Sequence, residues 1–486
     1  MREDILETRL EKKGRLERAF GGVYPESSER THTAKELLDA FEGLVSSEAQ
    51  VSLVGRVRSL RVMGKIAFAH LEDGTGKCQV FLAADKLGEE IFTTFSDNVE
   101  LGDFVSVTGI AFLTKKGEKT VAAKTWSILS KALLPIPTEH FGLENEEERL
   151  RRRYLDLIVH PETRELFIKK NLFWQTVRGF LSREKFLEVQ TPVLEHIPGG
   201  AEAEPFKTHH NALDQDFYLR ISLELALKRL LVGGYERVFE IGRVFRNEGI
   251  DREHLQEFDH MEFYAAYTDF STGCAMIEDL YREVVRALFG DTLKSTYEGV
   301  ELDWGKPFVR VDYFEAFQKE TGMDLSDDIP LQDFHKKAEE LGIKYDPKMG
   351  KGRMIDLLYK KTVRQKLIEP TLLVGHPVLV SPLAKLDPNN PRRVLRVQPV
   401  AAKSELGNGF SELNDPIDQR ARFEEQMKLR EAGDAEAQML DEDFLEALEY
   451  GMPPAFGFGM SERLFAILMD KSVRETVIFP PLKTKE

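Results

Sequence analysis

The sequence predicts an α+β protein in which a small N-terminal barrel of short strands precedes a larger domain of antiparallel strands and helices. Three observations carry this expectation. Between residues 50 and 130, Val51 to Arg58 and Lys65 to Leu71 alternate apolar with polar, and Gln79-Val-Phe-Leu is short and apolar. Turn signals at Asp73-Gly74, Leu101-Gly102-Asp103 and Lys116-Gly117-Glu118 separate these runs, a spacing that suits a small barrel. Beyond about residue 150, amphipathic helical patterns mix with strands, and residues 237–264 read as strand, charged loop, strand.

Taken in order, residues 1–48 read as a helical segment charged with both signs, broken at Gly21-Gly22 and Tyr24-Pro25. Residues 49–134 form the expected barrel. Leu134-Pro-Ile-Pro-Thr and the acidic run Glu144 to Glu148 mark a linker over 135–150, and 151–486 form the larger domain. A chain of 486 residues is long for one core, which agrees with this division. No apolar run approaches the ~20 residues of a membrane helix. The N-terminus lacks the apolar stretch of a secretion signal. Two cysteines, Cys78 and Cys274, far apart in sequence, fit a reducing, cytoplasmic compartment better than a disulfide framework. The net charge of −16 opposes indiscriminate binding of nucleic acid. That charge is uneven: residues 1–140 carry 19 basic and 21 acidic side chains, the remainder 48 and 62. A polyanion therefore meets less repulsion at the N-terminal part.

Three stretches carry candidate chemistry. The first runs from Arg237 through Arg246-Asn-Glu248 to Phe258-Asp-His-Met-Glu-Phe-Tyr264. Period-2 geometry puts Phe258, His260, Glu262 and Tyr264 on one strand face, and Arg246 at a strand end suits a phosphate or carboxylate. The second is Ser404-Glu-Leu-Gly-Asn-Gly-Phe-Ser-Glu412. Asn408, Phe410 and Glu412 share a face, whereas Glu405 falls on the opposite one unless the glycines introduce a bulge. The third is Gly457-Phe-Gly-Met-Ser-Glu-Arg463, where small residues at alternate positions lead into a helix. Its glycines let backbone approach a ligand, and a helix start favours phosphate.

In this order, with Phe186-Leu-Glu-Val-Gln-Thr-Pro192 upstream, the set resembles the three signature motifs of class II aminoacyl-tRNA synthetases. The Pro192 segment looks like motif 1, Arg246 to Phe258 like motif 2, and Gly457 to Arg463 like motif 3. The barrel is similar to the five-stranded OB-fold anticodon domain of the lysine, aspartate and asparagine subgroup. Pro198-Gly-Gly-Ala, Glu224 and the Glu412 stretch resemble the lysyl-tRNA synthetase family in particular. The likeness runs from about Tyr24 to Pro481. Three positions depart from the pattern: Ser461 stands where a third glycine is usual, Glu253 where an arginine is common, and Gln398 where a metal-binding glutamate is often found.

The resemblance implies lysine activation by ATP followed by transfer to tRNA(Lys), in a homodimer joined through the Pro192 segment, with Mg2+ beside ATP. It assigns ATP to Arg246, Glu248, His254, Phe258 and Arg463, with Arg246 and Arg463 catalytic. Phe258 stacks on adenine. The lysine site is Gly200, Glu224 for the α-ammonium, Asn408 for the carboxylate, Phe410 along the stem, and Glu262, Tyr264 and Glu412 for the ε-ammonium. Metal ligands are Glu405, with Gln398 and Glu412 as further candidates. In the barrel, Phe68 is expected to stack on an anticodon base while Arg61, Gln79 and Glu118 read base edges. Because Ala67 and Phe68 face opposite sides, Phe68 is a platform only if Ala67 is the interior residue. Two other readings compete: a lysyltransferase that modifies protein, and a catalytically dead synthetase-like binding protein. The barrel speaks against the first, and intact Arg246, Glu248, Phe258 and Arg463 against the second.

Overall fold

The computed structural model describes residues 2–137, 143–249, 251–433 and 437–484. Residues 138–142 of the expected linker and Ile250 of the charged loop lie outside them. The chain forms two compact units, Met1–Arg149 with Tyr154–Val159, and Leu150–Arg153 with His160–Glu486.

The first unit is built on five strands, β1 (Gln50–Met63), β2 (Ile66–Glu72), β3 (Lys77–Ala83), β4 (Phe104–Leu113) and β5 (Lys119–Ser130). They close into a barrel in the order β1-β2-β3-β5-β4. Alternation decides what is inside: Val51, Leu53, Ala67, Ala69, Val80, Leu82, Val105, Val107 and Val121 are buried together. The β1–β2 turn relies on Gly64, whose φ of 60° is costly for other residues. Three helices precede the barrel: α1 (Arg2–Phe20), α2 (Ala34–Asp39) and α3 (Phe41–Ser47). They are not a detached segment, for Leu16, Val23, Leu37 and Phe41 join the barrel's core cluster.

The second unit is organised by a nine-stranded sheet. Its central run is Arg396–Ala401, Asn408–Ser411, Ala455–Ser461, Glu257–Ala266 and Arg237–Phe245, each antiparallel to its neighbour. The antiparallel expectation holds for this run. The outer pairings differ: Val309–Asp312 with Thr371–Val374, and Arg237–Phe245 with Leu187–Glu188, are parallel. One face carries the main core, where Met261, Phe263, Phe458 and Met460 pack with Phe173, Val177, Tyr281 and Val285 from the helices Pro161–Arg183 and Phe270–Phe289. The other face holds Tyr264 and Phe410 against Leu227 and Leu231 of the helix Glu224–Val232. Pairing at this density leaves few strand groups unsatisfied, so the sheet is a rigid platform for side chains on that second face.

Candidate active site

The hairpin Arg237–Phe245 and Glu257–Ala266 has regular register, with Glu240 opposite Glu262 and Gly242 opposite His260. Regularity preserves the parity read from sequence: Phe258, His260, Glu262 and Tyr264 line the site face while Met261 and Phe263 enter the core. Glu262 is buried and fully engaged. It accepts hydrogen bonds from the Ser222 hydroxyl (2.6 Å), the Leu223 amide (2.9 Å) and the Tyr264 hydroxyl (2.7 Å), with His260 Nε2 at 3.4 Å. Burial opposes its ionisation. The hydrogen bond and charge of His260, with the Ser222 and Leu223 donors, outweigh burial and hold the carboxyl at about 2.

Glu412 is the contrasting case. It too is buried, but neither of its oxygens accepts a well-aligned hydrogen bond from the described residues, and Oε2 has only an ion pair. Lys228 Nζ approaches Oε2 at 2.5 Å, and the same ammonium lies 2.6 Å from Glu224 Oε1. Burial pushes both Glu224 and Glu412 upward, the Lys228 charge opposes this, and repulsion from Glu262 on the first and from Glu224 and Glu262 on the second adds to it. Gly457 is required beside them, because a Cβ there would overlap Glu412 Oε1 and the Tyr264 ring. Gly459 faces His260 in the same way, its Cβ position 2.9 Å from Nε2. The alternate small residues of the third stretch therefore make room for the acidic face opposite. Gly200, at φ 85°, packs against Ser222 and Glu224, where a Cβ would come within 2.8 Å of Glu224 Cβ.

A one-residue slip decides the position of Glu405. Val400 pairs with Glu405, yet Val397 pairs with Gly409 and Arg396 with Phe410. The extra residue is taken up around Leu406-Gly407, and Glu405 moves onto the face of Asn408, Phe410 and Gln398. The bulge allowed by the sequence is present. Gly407 fits because a Cβ would meet the Phe458 ring at 2.6 Å. Burial disfavours a charged Glu405. Arg463, Arg396 and Lys360, with the Gln398 amide, reverse that and hold it below its usual range. Gln398 is buried and accepts a hydrogen bond from the Tyr359 hydroxyl at 3.0 Å. Among the described residues, no group of three or more His, Cys, Asp or Glu converges to hold a metal ion.

Two arginines border this face. Arg246 donates from Nε to the Ile221 carbonyl (3.3 Å), and its guanidinium lies 5.3 Å from the Phe258 ring centroid. Arg463 opens a helix of only six residues, Arg463–Leu468, so its guanidinium and not a long helix dipole supplies the positive charge. It donates to the Glu405 and Glu253 carbonyls (3.1 and 3.2 Å), and its buried Nε has no partner among the described residues. Glu248 is half-buried on the connecting loop, and His254 is exposed there, its Nδ1 2.7 Å from Asp251.

In the barrel, Ala67 is fully buried, and Phe68 lies on the outside. Phe68 meets Phe81 at 5.0 Å between centroids, and Phe81 meets Phe112 at 5.9 Å, giving a row of half-buried rings. Arg61 pairs opposite Phe68 and is exposed. Gln79 is buried with its carbonyl accepting from Thr120 (2.8 Å), and the exposed Glu118 lies 2.9 Å from His70 Nε2.

Residues 145–483 match the model of class II tRNA synthetases (D, K and N), and residues 51–129 match the OB-fold nucleic acid binding domain. A lysine–tRNA ligase of Roseiflexus castenholzii is 45% identical over 99% of this chain and 99% of that protein. That of Moorella thermoacetica is 44% identical over 99% and 98%, and that of Enterococcus faecalis 44% over 94% and 92%. The chain belongs to the lysine–tRNA ligase family of class II tRNA synthetases. For a member of this family, the acidic face with its open Glu412 oxygen and the two bordering arginines form the natural candidate for the substrate site. Sequence reading missed Ser222, Lys228, Tyr359 and Arg396, whose Nε donates to Asn408 Oδ1 at 2.7 Å. Lys228 did leave a signal, since it stands four residues after Glu224 in one helix and so on the same face. Ser222 just before that helix, Tyr359 on the helix Lys351–Lys361 and Arg396 on a strand of the sheet become neighbours of the site only through the tertiary fold.

Proposed function

We infer that this protein activates L-lysine with ATP to lysyl-adenylate and pyrophosphate, then transfers lysine to the 3′ end of tRNA(Lys). Membership of the ligase family along the whole chain carries the reading, and the buried acidic pocket gives it a chemical basis. A lysine side chain is a long apolar stem ending in a cation. Phe410 and Tyr264 supply apolar walls, and Glu412 supplies an unsatisfied acceptor at the end. Glu262 contributes fixed negative charge and orients the Tyr264 hydroxyl, so in this reading it acts on the ε-ammonium mainly through charge. Glu224 receives the α-ammonium, with Gly200 keeping the backbone clear of it. Asn408, held by Arg396, meets the carboxylate.

Activation joins two anions, the amino-acid carboxylate and the α-phosphate. No protein base is needed, because the carboxylate is already a nucleophile. Arg246 lowers the repulsion at the reacting groups, and Arg463, with its unpartnered Nε, holds the far phosphates. Phe258 stacks on adenine, Glu248 and His254 approach ATP from the loop, and positioning supplies the remainder of the catalysis. Glu405 is a carboxylate held below its usual range on this part of the face, and Gln398 adds a neutral oxygen already accepting from Tyr359. These residues fit a magnesium ion whose other ligands are phosphate and water. Such an ion supplies positive charge at the phosphates when bound with ATP. Glu412 is committed to Lys228 and is not counted among its ligands.

The outer rings of the barrel, led by Phe68, receive unstacked anticodon bases. Exposed Leu187, Val193 and Leu194 around Pro192 support a homodimer, and two unpaired buried thiols agree with the cytoplasm. No described helix is long and apolar enough to cross a membrane. The decisive experiment is pyrophosphate exchange with Glu412→Gln. Truncating one partner of a buried charge pair costs about 2–5 kcal/mol, so kcat/KM for lysine should fall roughly 30-fold or more with little change in KM for ATP. Unaltered lysine dependence would remove Glu412 from the site.

A further inference from the structure

The Lys228 side chain has no exposed surface, yet it carries an ammonium into the middle of the acidic pocket. It sits on the helix Glu224–Val232, one turn beyond Glu224, and touches carboxylates from two elements: Glu224 at 2.6 Å and Glu412 at 2.5 Å. The rings of Phe410 and Phe444 lie 5.5 and 5.9 Å from Nζ and close the space around it. Burying an ammonium is costly unless it is paired, and Lys228 is held at this place by its two carboxylates. A methionine would fill the same volume without that cost.

The charges in the pocket explain the need. Three buried carboxylates, Glu224, Glu262 and Glu412, converge on one region. Such a set does not stay ionised unaided. Arg396 acts on Glu224 and Arg246 on Glu262, but Arg396 is tied to Asn408, Val380 and Ser381. Glu262 has its own cationic neighbour in His260, so Lys228 serves the pair Glu224 and Glu412, and its single charge leaves that pair net negative for a cationic substrate. Lys228 also braces Glu224 against Glu412, so the acceptors assigned to the two ends of the substrate are held by one shared tether.

We propose that Lys228 is a specificity-determining positioning residue of the amino-acid pocket: held between Glu224 and Glu412, it cancels one charge of that pair and fixes both acceptors for a doubly cationic amino acid. The proposal rests on the pocket reading given above. Without Lys228 the uncompensated charge of the pair is relieved by a proton on one carboxylate. The resulting neutral acid accepts a hydroxyl about as readily as an ammonium, and discrimination by charge is lost.

The test is pyrophosphate exchange with L-lysine and with 6-hydroxynorleucine, in which a hydroxyl replaces the ε-ammonium. The variants are Lys228→Met, Lys228→Gln and Lys228→Arg, with Glu412→Gln in parallel. In the Met and Gln variants KM for lysine should rise, and the preference for lysine over the hydroxyl analogue should fall, each roughly tenfold or more, while KM for ATP stays within about twofold. Lys228→Arg, which keeps the charge, should recover most of the preference. Equal preference in the Gln and Arg variants overturns the proposal, as does loss that affects ATP and lysine alike. If Glu412→Gln impairs lysine use and the Lys228 variants do not, the pocket reading stands and this proposal falls. If Glu412→Gln is also without effect, the pocket reading itself fails.

Discussion

At the residue scale, buried groups of one chemical type are assigned different work by their partners. Glu262 has four neighbours arranged around its carboxylate and stays ionised, whereas Glu412 has one cation and an open oxygen. The sequence presents both as acidic residues on strand faces. Gln398 poses the complementary case, a neutral amide where the resemblance expects a carboxylate. Its carbonyl is occupied by Tyr359 and its amide supports the ionised Glu405, so both ends of the amide have protein partners. Gln398→Glu puts two carboxylates side by side, a pair that cannot both ionise cheaply unless a cation joins them. Half-saturating free magnesium in exchange should therefore fall several-fold, and Glu405→Gln should be far more damaging than Gln398→Ala. A magnesium titration identical in native and Gln398→Glu protein would mean this side chain does not reach the metal.

At the element scale, the decisive features are register and its interruption. Where pairing is regular, as in the hairpin 237–266, parity alone gives the right face for every residue from Phe258 to Tyr264. Where it slips, at Leu406-Gly407, simple parity gives the wrong face for Glu405, and Gly407 packs there against Phe458 and the Gly459 carbonyl. The barrel shows the same logic. Burial of Ala67 obliges Phe68 to face outward on β2, in line with Phe81 and Phe112. Stacking on a base is worth ~1–3 kcal/mol, so Phe68→Ala should weaken tRNA charging by roughly tenfold and leave lysine-dependent pyrophosphate exchange intact. Collapse of exchange as well would show that the ring serves the fold. Gln79 and Glu118 are less free than the sequence suggests, since each already has a partner in the barrel.

At the scale of the whole molecule, each unit has its own buried core, and the N-terminal helices belong to the barrel's. An apolar strand edge remains in the larger unit. Leu187, on the short parallel strand, is 48% exposed, and Val193 and Leu194 nearby are 39% and 42% exposed. An open edge with apolar side chains invites pairing with another chain, which supports the proposed homodimer. Sedimentation equilibrium should give twice 55.6 kDa for the native protein, and Val193→Asp should shift it towards monomer. A native protein that stays monomeric at micromolar concentration would contradict this assignment.

By itself, the sequence determined the barrel, the antiparallel hairpin, the order of the three motifs and the acidic character of the site, because these depend on local period, turn residues and residue type. Gly457 and Gly459 were legible as close-approach positions, but what approaches them was not. The tertiary structure alone decided that Glu405 crosses to the site face, that Glu262 is saturated while Glu412 is open, and that Tyr359 and Arg396 stand behind Gln398 and Asn408. The physical reason is common to all of them. A side chain's electrostatic role is set by partners distant in sequence, and pattern along one strand carries no record of which partners the sheet will bring beside it.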